Sequence, residues 1–248
     1  MLTRRAALAG LAATPLILWG SRAVATLPAP DTLQTSAGDV TIAPLNHATL
    51  ILSQGNHVFY FDPAKVDFTG RPPATAIFIT HEHGDHFDPD NLVKIAGKAQ
   101  IVAPQSVADK IPDALKAQVT VMQNGDSGTV DGIPVTAVPA YNTSPDKQQF
   151  HPKGRDNGYV LTFGDKKVYV AGDTEDTPEM RALAGIDVAF LPMNQPYTMT
   201  PQQAADAVKA FSPKVVYPYH YKGTDPQQFA DLVGTAAEVR LRDWYASP

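Results

Sequence analysis

The sequence predicts an α/β protein, a four-layer αββα sandwich made of two similar halves. Three observations predict it. The chain repeats a strand pattern at a slowly drifting offset, each repeat carries its own helix signal, and the composition suits one sizeable packed domain. Of 248 residues 44% are hydrophobic and 18% charged, a balance typical of a globular chain rather than a disordered or fibrous one.

The repeat begins with "VTIAP" (Val40 to Pro44), which is similar to "VTAVP" (Val135 to Pro139). "ATLILSQGNHVFYFDP" (Ala48 to Pro63) then matches "GYVLTFGDKKVYVAGD" (Gly158 to Asp173), an offset of 110. "TAIFIT" (Thr75 to Thr80) matches "DVAFLP" (Asp187 to Pro192) at 112, and "QIVAP" (Gln100 to Pro104) matches "VVYPY" (Val215 to Tyr219) more loosely. Internal self-similarity of this kind is read before any single element. Each half is a strand hairpin, a loop carrying an acid, a strand, a helix and a further strand. The hairpin turns fall at "QGN" (Gln54 to Asn56) and "GDKK" (Gly164 to Lys167), between runs rich in β-branched and aromatic residues.

The second-half helix opens at "TMTPQQAADAVKAF", with Thr200 as N-cap, Pro201 in the first turn and Gln203 completing a capping box. Its first-half partner runs from Pro89 to about Ile95, and a third helix covers Pro226 to Leu232. Two β-rich halves with their own helices bury their sheets face to face and leave the helices outside. The second half also holds about fifteen residues that the first lacks, "TSPDKQQFHPKGRDN", between "VTAVPAYN" and "GYVLTFG". Long loops of this kind are often functional, and this one is expected over the site.

Residues 1–25 stand apart from the fold. Arg4 and Arg5 precede an apolar run from Ala6 to Trp19, and "AVA" (Ala23 to Ala25) has the form of a cleavage site. The pattern reads as a twin-arginine export signal, with residues 26–248 as the single mature domain and a periplasmic or secreted location. The run is shorter than the ~20 apolar residues that a spanning helix needs, so no stable membrane anchor is expected. Without those residues the chain keeps 17 Lys+Arg against 25 Asp+Glu, a net charge of −8. Such a surface disfavours nucleic acid. No cysteine occurs, which excludes disulfides and thiolate metal sites, so any zinc must be held by nitrogen and oxygen.

The chemistry concentrates in "THEHGDH", Thr80 to His86. Gly84 and the preceding apolar strand set it apart from the helical zinc motif with two histidines four apart. A loop leaving a strand end can aim several side chains at one point. His81 and His83 can meet one ion, and Asp85 with His86 can reach a second. Imidazole and carboxylate suit zinc, and also manganese or iron.

That motif resembles the HxHxDH signature of the metallo-β-lactamase fold superfamily, an αββα sandwich of two similar halves. "YFDP" with Asp62, "AGDT" with Asp173 and "YPYHY" with His220 are similar to its other motifs, so the resemblance spans the mature chain. "LNHATLIL" and "AYN…FHPKG…GYV…VYVAGDT" look closest to the branch with ascorbate-6-phosphate lactonase and N-acyl-phosphatidylethanolamine phospholipase D. The resemblance implies two divalent ions, zinc foremost. His81 and His83 would ligate the first, Asp85, His86 and His220 the second, with Asp173 between them. Asp62 and His47 are implied to lie just behind the ligands.

The pattern breaks at Asn142, which stands where most relatives carry another first-metal histidine. Neutral amide oxygen is a poor zinc ligand. Three outcomes are open: His151 of the inserted loop supplies the ligand, Asn142 lines the substrate pocket beside a weaker ion, or only one ion binds tightly.

The function these features imply is a hydrolase that uses a metal-activated hydroxide on an ester, lactone or phosphodiester, with Asp85 orienting the nucleophile and taking its proton. The expected partners are a small or lipid-like substrate, anionic ones included, and transient export machinery. Lys153, Arg155 and Lys222 are candidates for holding an anionic group. Two other readings are a non-catalytic periplasmic metal-binding protein and an iron-dependent oxidoreductase on the same fold.

Overall fold

The computed structural model describes residues 29–245, so the export-signal assignment lies outside the described residues. Within them the first half runs β1 (Asp31–Leu33), β2 (Val40–Asn46), β3 (Thr49–Gln54), β4 (His57–Phe61), β5 (Ala76–Phe78), helix α1 (Pro89–Ile95), β6 (Gln100–Ala103), the one-turn helix α2 (Gln105–Ala108) and β7 (Val119–Val121). The second half runs β8 (Ser127–Val130), β9 (Ile133–Ala140), β10 (Asp156–Phe163), β11 (Lys166–Val170), α3 (Pro178–Arg181), β12 (Val188–Pro192), α4 (Pro201–Phe211), β13 (Val215–Tyr219), α5 (Pro226–Val233) and β14 (Glu238–Val239).

Each half forms one seven-stranded sheet with its strands in sequence order. The two sheets share one pairing scheme. β1 to β4 and β8 to β11 pair antiparallel, while β4 to β7 and β11 to β14 pair parallel. The repeat in the sequence is therefore a repeat of topology, with β2 to β6 of the first half equivalent to β9 to β13 of the second.

Side-chain alternation builds the layers. Phe59 and Phe61 of β4, Val168 and Val170 of β11, Phe190 of β12 and Tyr217 and Tyr219 of β13 point into one cluster between the sheets. Their neighbours Val58 and Tyr60 face outward under α1 and α2. Tyr169, Ala189, Leu191 and Val216 face outward under α4 and α5. Three cores alternate with four layers, the αββα sandwich that the duplication predicts. Strands buried on both faces read as nearly continuous apolar runs, and each fully buried phenylalanine contributes about 1.5–3 kcal/mol.

The helices follow their local signals. Thr200 caps α4, its backbone N–H donating to the Gln203 side-chain oxygen, and Ala204, Ala205, Ala207, Val208 and Phe211 form the buried stripe. Asp88 caps α1 and Asp225 caps α5. The repeat comparison does not reach β1, β7, β8 and β14. These are edge strands of two to four residues, mostly part-exposed, so neither alternation nor burial marks them. One boundary moves: Asp156 and Asn157, counted with the insertion in the sequence, open β10 and pair with Ala140 and Pro139. No helix among the described residues is long and apolar enough to cross a membrane.

Candidate metal centre

The loops that carry the candidate ligands leave the same end of both sheets. Asp62 follows β4, His81 to His86 follow β5, Asp173 follows β11 and His220 follows β13. His47 occupies the two-residue turn between β2 and β3, just after a register shift in the β2–β3 ladder. His47, Asp62 and His220 all have positive φ, at 54°, 43° and 46°. That region is costly for residues other than glycine and is found most often where a site over-determines the backbone.

The repeat explains one of these conformations. Asp62 is equivalent to Gly172, whose φ is +67°, so both halves turn out of the sheet with the same backbone step. At Gly172 a side chain has no room: an added Cβ would lie 2.9 Å from the Asn157 carbonyl oxygen and 2.9 Å from Thr80 Cβ. Gly172→Ala should therefore destabilise the protein by about 1–3 kcal/mol, combining unfavourable φ with displacement of Thr80. Chemical denaturation of the metal-free protein measures this.

The side chains converge closely. Donor atoms of His81, His83 and His151 lie within 4.8 Å of one another, as do those of His81, His86 and Asp173, and those of His47, Asp85 and His220. Asp173 sits at the centre. One of its oxygens is 3.4 Å from His86 Nε2, and the other is 3.5 Å from His151 Nε2, 3.6 Å from His220 Nε2 and 3.9 Å from His81 Nε2. Asp85 Oδ2 lies 3.0 Å from His47 Nε2 and 3.4 Å from His220 Nε2.

Hydrogen bonds behind the cluster fix the ring tautomers. Asp62 is fully buried and accepts from Thr80 N–H, from the Thr80 hydroxyl and from His86 Nδ1 at 2.8 Å each. With its own proton given to Asp62, the Thr80 hydroxyl accepts from His81 Nδ1 at 3.0 Å. His151 Nδ1 donates to buried Asp156 at 3.1 Å. The bonds made by Nδ1 thus leave Nε2 of His81, His86 and His151 turned inward, the atom that a bound metal would take once it carries no proton. His47 is the exception. Its Nδ1 meets the Tyr245 hydroxyl at 2.9 Å and its Nε2 meets Asp85, so with Tyr245 donating it presents N–H to the carboxylate.

The electrostatics fit a cation. Burial holds the His81 pKa well below its ordinary value, and burial with neighbouring His151 lowers that of His83; both rings are neutral with lone pairs available. Burial also opposes protonation of His86, but Asp173 and Asp62 outweigh it and raise that ring well above the usual range. Burial would raise Asp173 and Asp85. The surrounding histidines prevail and keep both carboxylates ionised, Asp173 through His220 and His86, Asp85 through His220 and His47. His86 Nε2, Asp173 Oδ1 and His220 Nδ1 are buried without a hydrogen-bond partner among the described residues. His81 Nε2 and His83 Nδ1 face each other at 3.1 Å. Buried polar atoms without a partner are rare inside proteins, and inward-facing nitrogen and carboxylate atoms such as His86 Nε2 and Asp173 Oδ1 match a divalent ion.

The insertion delivers His151 by a specific clamp. Asn142 donates its backbone N–H to the His151 carbonyl and its side-chain amide to the carbonyls of Lys147 and Tyr197. Buried Glu175 accepts from Thr143 N–H, Ser144 N–H and both hydroxyls, and pairs with Lys147 at 3.1 Å. Asn142 thereby holds the loop, and His151 fills the place beside His81 and His83. Asp156, Glu175 and Tyr245 are missing from the sequence reading. Only Asp156, five residues after His151 in "FHPKGRD", carries a local hint; the other two reach the site through tertiary packing. Two of the sequence's anion-binding candidates are otherwise engaged: Lys153 pairs with Glu179 at 3.1 Å, and Arg155 pairs with Asp156 at 2.6 Å and with Glu82 at 3.8 Å.

Comparison with known proteins agrees with this geometry. Residues 35–221 match the family described as "Beta-lactamase superfamily domain". A UPF0173 metal-dependent hydrolase of Pyrococcus abyssi is 35% identical over 220 residues, covering 81% of this chain and 95% of that protein. A crystal structure from Parabacteroides distasonis, described provisionally as a metal-dependent hydrolase, superposes with a TM-score of 0.82 at 43% identity, covering 87% of this chain and 98% of that one. A metallo hydrolase of the archaeon Ignicoccus hospitalis shares the fold, with a TM-score of 0.68 at 24% identity over 82% of this chain and 94% of that one. The chain belongs to the beta-lactamase superfamily, among the UPF0173 metal-dependent hydrolases.

Proposed function

We propose that the protein is a dinuclear metal hydrolase acting on an ester, lactone or phosphodiester. The observation that carries this is the convergence of His81, His86, His151 and His220 on the single carboxylate of Asp173. His81, His83 and His151 would hold one ion, Asp85, His86 and His220 the other, with Asp173 between them. Zinc suits this nitrogen-rich set, and manganese or iron could occupy it. Bound ions of this kind supply Lewis acidity toward the substrate's carbonyl or phosphoryl oxygen and make water a nucleophile at neutral pH.

The chain's own residues do the rest. Asp85 reaches a cavity of about 390 Å³ lined by His83, Phe150, His151, Asp173, Asn194, Tyr197 and His220. There it would orient the attacking water and receive its proton. His47, bridging Tyr245 and Asp85, holds that carboxylate in place. Asp62 and Asp156 do the same for the rings of His86 and His151. Phe150 and Tyr197 meet edge to face, with centroids 4.9 Å apart, and give the cavity an apolar wall for the substrate's carbon skeleton. The paired arginines and apolar run ahead of residue 26 support a periplasmic or secreted setting.

Metal analysis of the purified protein tests the reading. Two ions per chain, and turnover on an ester and phosphodiester panel that a chelator removes and zinc restores, are the expected results. Tight metal binding with no turnover across the panel would instead identify a metal-binding protein without catalysis.

A further inference from the structure

A second cavity, of about 340 Å³, adjoins the one beside the metal centre. Asn46, His47, Ala64, Lys65, Asp85, Asn194, Lys222 and Tyr245 line it, and Asp85 and Asn194 are common to both cavities. Its two lysines differ from the other basic residues around the site. Lys147, Lys153, Arg155 and Lys110 each have a carboxylate partner at 3.1 Å or less. Lys65 and Lys222 have none within 4.0 Å among the described residues, although the mature chain carries more acidic than basic residues.

Lys65 also has φ of +55°, a conformation that glycine or asparagine adopts at less cost. It lies in "DPAK", three residues after Asp62. The turn that carries Asp62 toward His86 thus places exposed Lys65 in the lining of the adjoining cavity. Lys222 follows His220 by two residues and reaches the same cavity from the other half of the fold. Each lysine is tied by a short stretch of chain to a residue of the proposed metal centre. The Asp85 carboxylate on the shared wall would repel an anion while unpaired. In the dinuclear reading, on which this inference rests, that carboxylate is engaged by a cation, and the cavity is left with net positive character.

We infer that Lys65 and Lys222 form an oxyanion subsite, so that the substrate carries a carboxylate or phosphoryl group several atoms from the bond that is hydrolysed. The anion sits in the lysine-lined cavity, the scissile group lies beside Asp85, and the apolar part of the molecule rests on Phe150 and Tyr197. Ammonium groups recognise such anions as flexible point charges, and an ion-paired hydrogen bond of this kind is worth about tenfold in affinity.

Two measurements on the zinc-loaded full chain test this. The first compares kcat/KM for mono-4-nitrophenyl adipate with that for 4-nitrophenyl hexanoate, its neutral counterpart. The wild type should favour the adipate by about tenfold or more, and Lys65→Met/Lys222→Met should bring the ratio close to one. A ratio that the double variant leaves unchanged overturns the subsite. The second needs no turnover: methanesulfonate, a weak metal ligand, is titrated while the lysine Cε–Hε NMR signals are followed. Saturable shifts of the Lys65 and Lys222 signals, identified by their loss in the single variants, support the subsite even if neither ester is hydrolysed. In that case it is the hydrolase reading that fails. Absence of saturable shifts at these two lysines, with ester hydrolysis intact, overturns the subsite and leaves the hydrolase reading standing.

Discussion

His151→Ala is expected to remove one tightly held ion per chain and to lower hydrolytic turnover by about a hundredfold or more. Loss of an outer hydrogen-bond partner costs about 10–100-fold in metal affinity, so loss of an inward-facing Nε2 should cost at least that. His151 is buried to 1% exposure, and its ring centroid is 4.9 Å from that of His81 and 4.8 Å from that of His83. Substitution should not unfold the metal-free protein, because Asp156 keeps its bond from Arg155 Nε at 2.6 Å. A stability loss of about 1–3 kcal/mol is expected from the missing ring and its hydrogen bond. Metal quantification and calorimetric titration of the variant beside the wild type decide the matter. Unchanged stoichiometry and affinity would exclude His151 from the ligand set and return attention to Asn142.

Asp173→Asn should have the larger consequence, since one carboxylate serves both halves of the site. The amide preserves volume and removes the charge that faces His81, His86, His151 and His220. Both ions should be lost on dialysis, and turnover should fall by about 10³-fold, the equivalent of several kcal/mol of charge stabilisation. A variant that retained one ion at wild-type affinity would show that the two positions are held independently, against the shared-carboxylate arrangement. Far-ultraviolet circular dichroism separates this loss from misfolding, because the sheets pack through Phe59, Phe61, Phe190 and Tyr217, away from the charge.

Much of this architecture is legible in the sequence because duplication supplies an internal check. Alternation alone underdetermines the strands of a single half. Two halves that repeat the same order of hairpin, strand, helix and strand constrain each other. The "THEHGDH" loop is equally legible, since its donors are contiguous and follow an apolar strand directly. The edge strands β7 and β8 are less so. Their residues are mostly exposed, and pairing to a neighbour, not local pattern, makes them strands.

The second tier of the site follows the same division. Asp62 and Thr80 stand close to the strand ends that the repeat already identifies. Tyr245 acts from almost the end of the chain, brought in because buried Trp244 packs between the sheets and gives its carbonyl to His47 N–H at 3.0 Å. Glu175 is two residues from Asp173, yet its work is to gather the backbone of Thr143 and Ser144, a contact across thirty-odd residues of chain that spacing does not reveal.

By itself the sequence determined the αββα frame, the contiguous histidine loop and the absence of thiolate donors, because each is written in local pattern or composition. The tertiary structure decided how the site is closed. Asn142 is a clamp and His151 the inward-facing ring, because the inserted loop's backbone groups, once buried, had to find partners, and Asn142 with Glu175 provides them. It also separated the lysines. Lys153 and Arg155 are paired with carboxylates, Glu179 for the first and Asp156 and Glu82 for the second, whereas Lys65 and Lys222 have no such partner among the described residues, a difference that folding and not local sequence pattern sets.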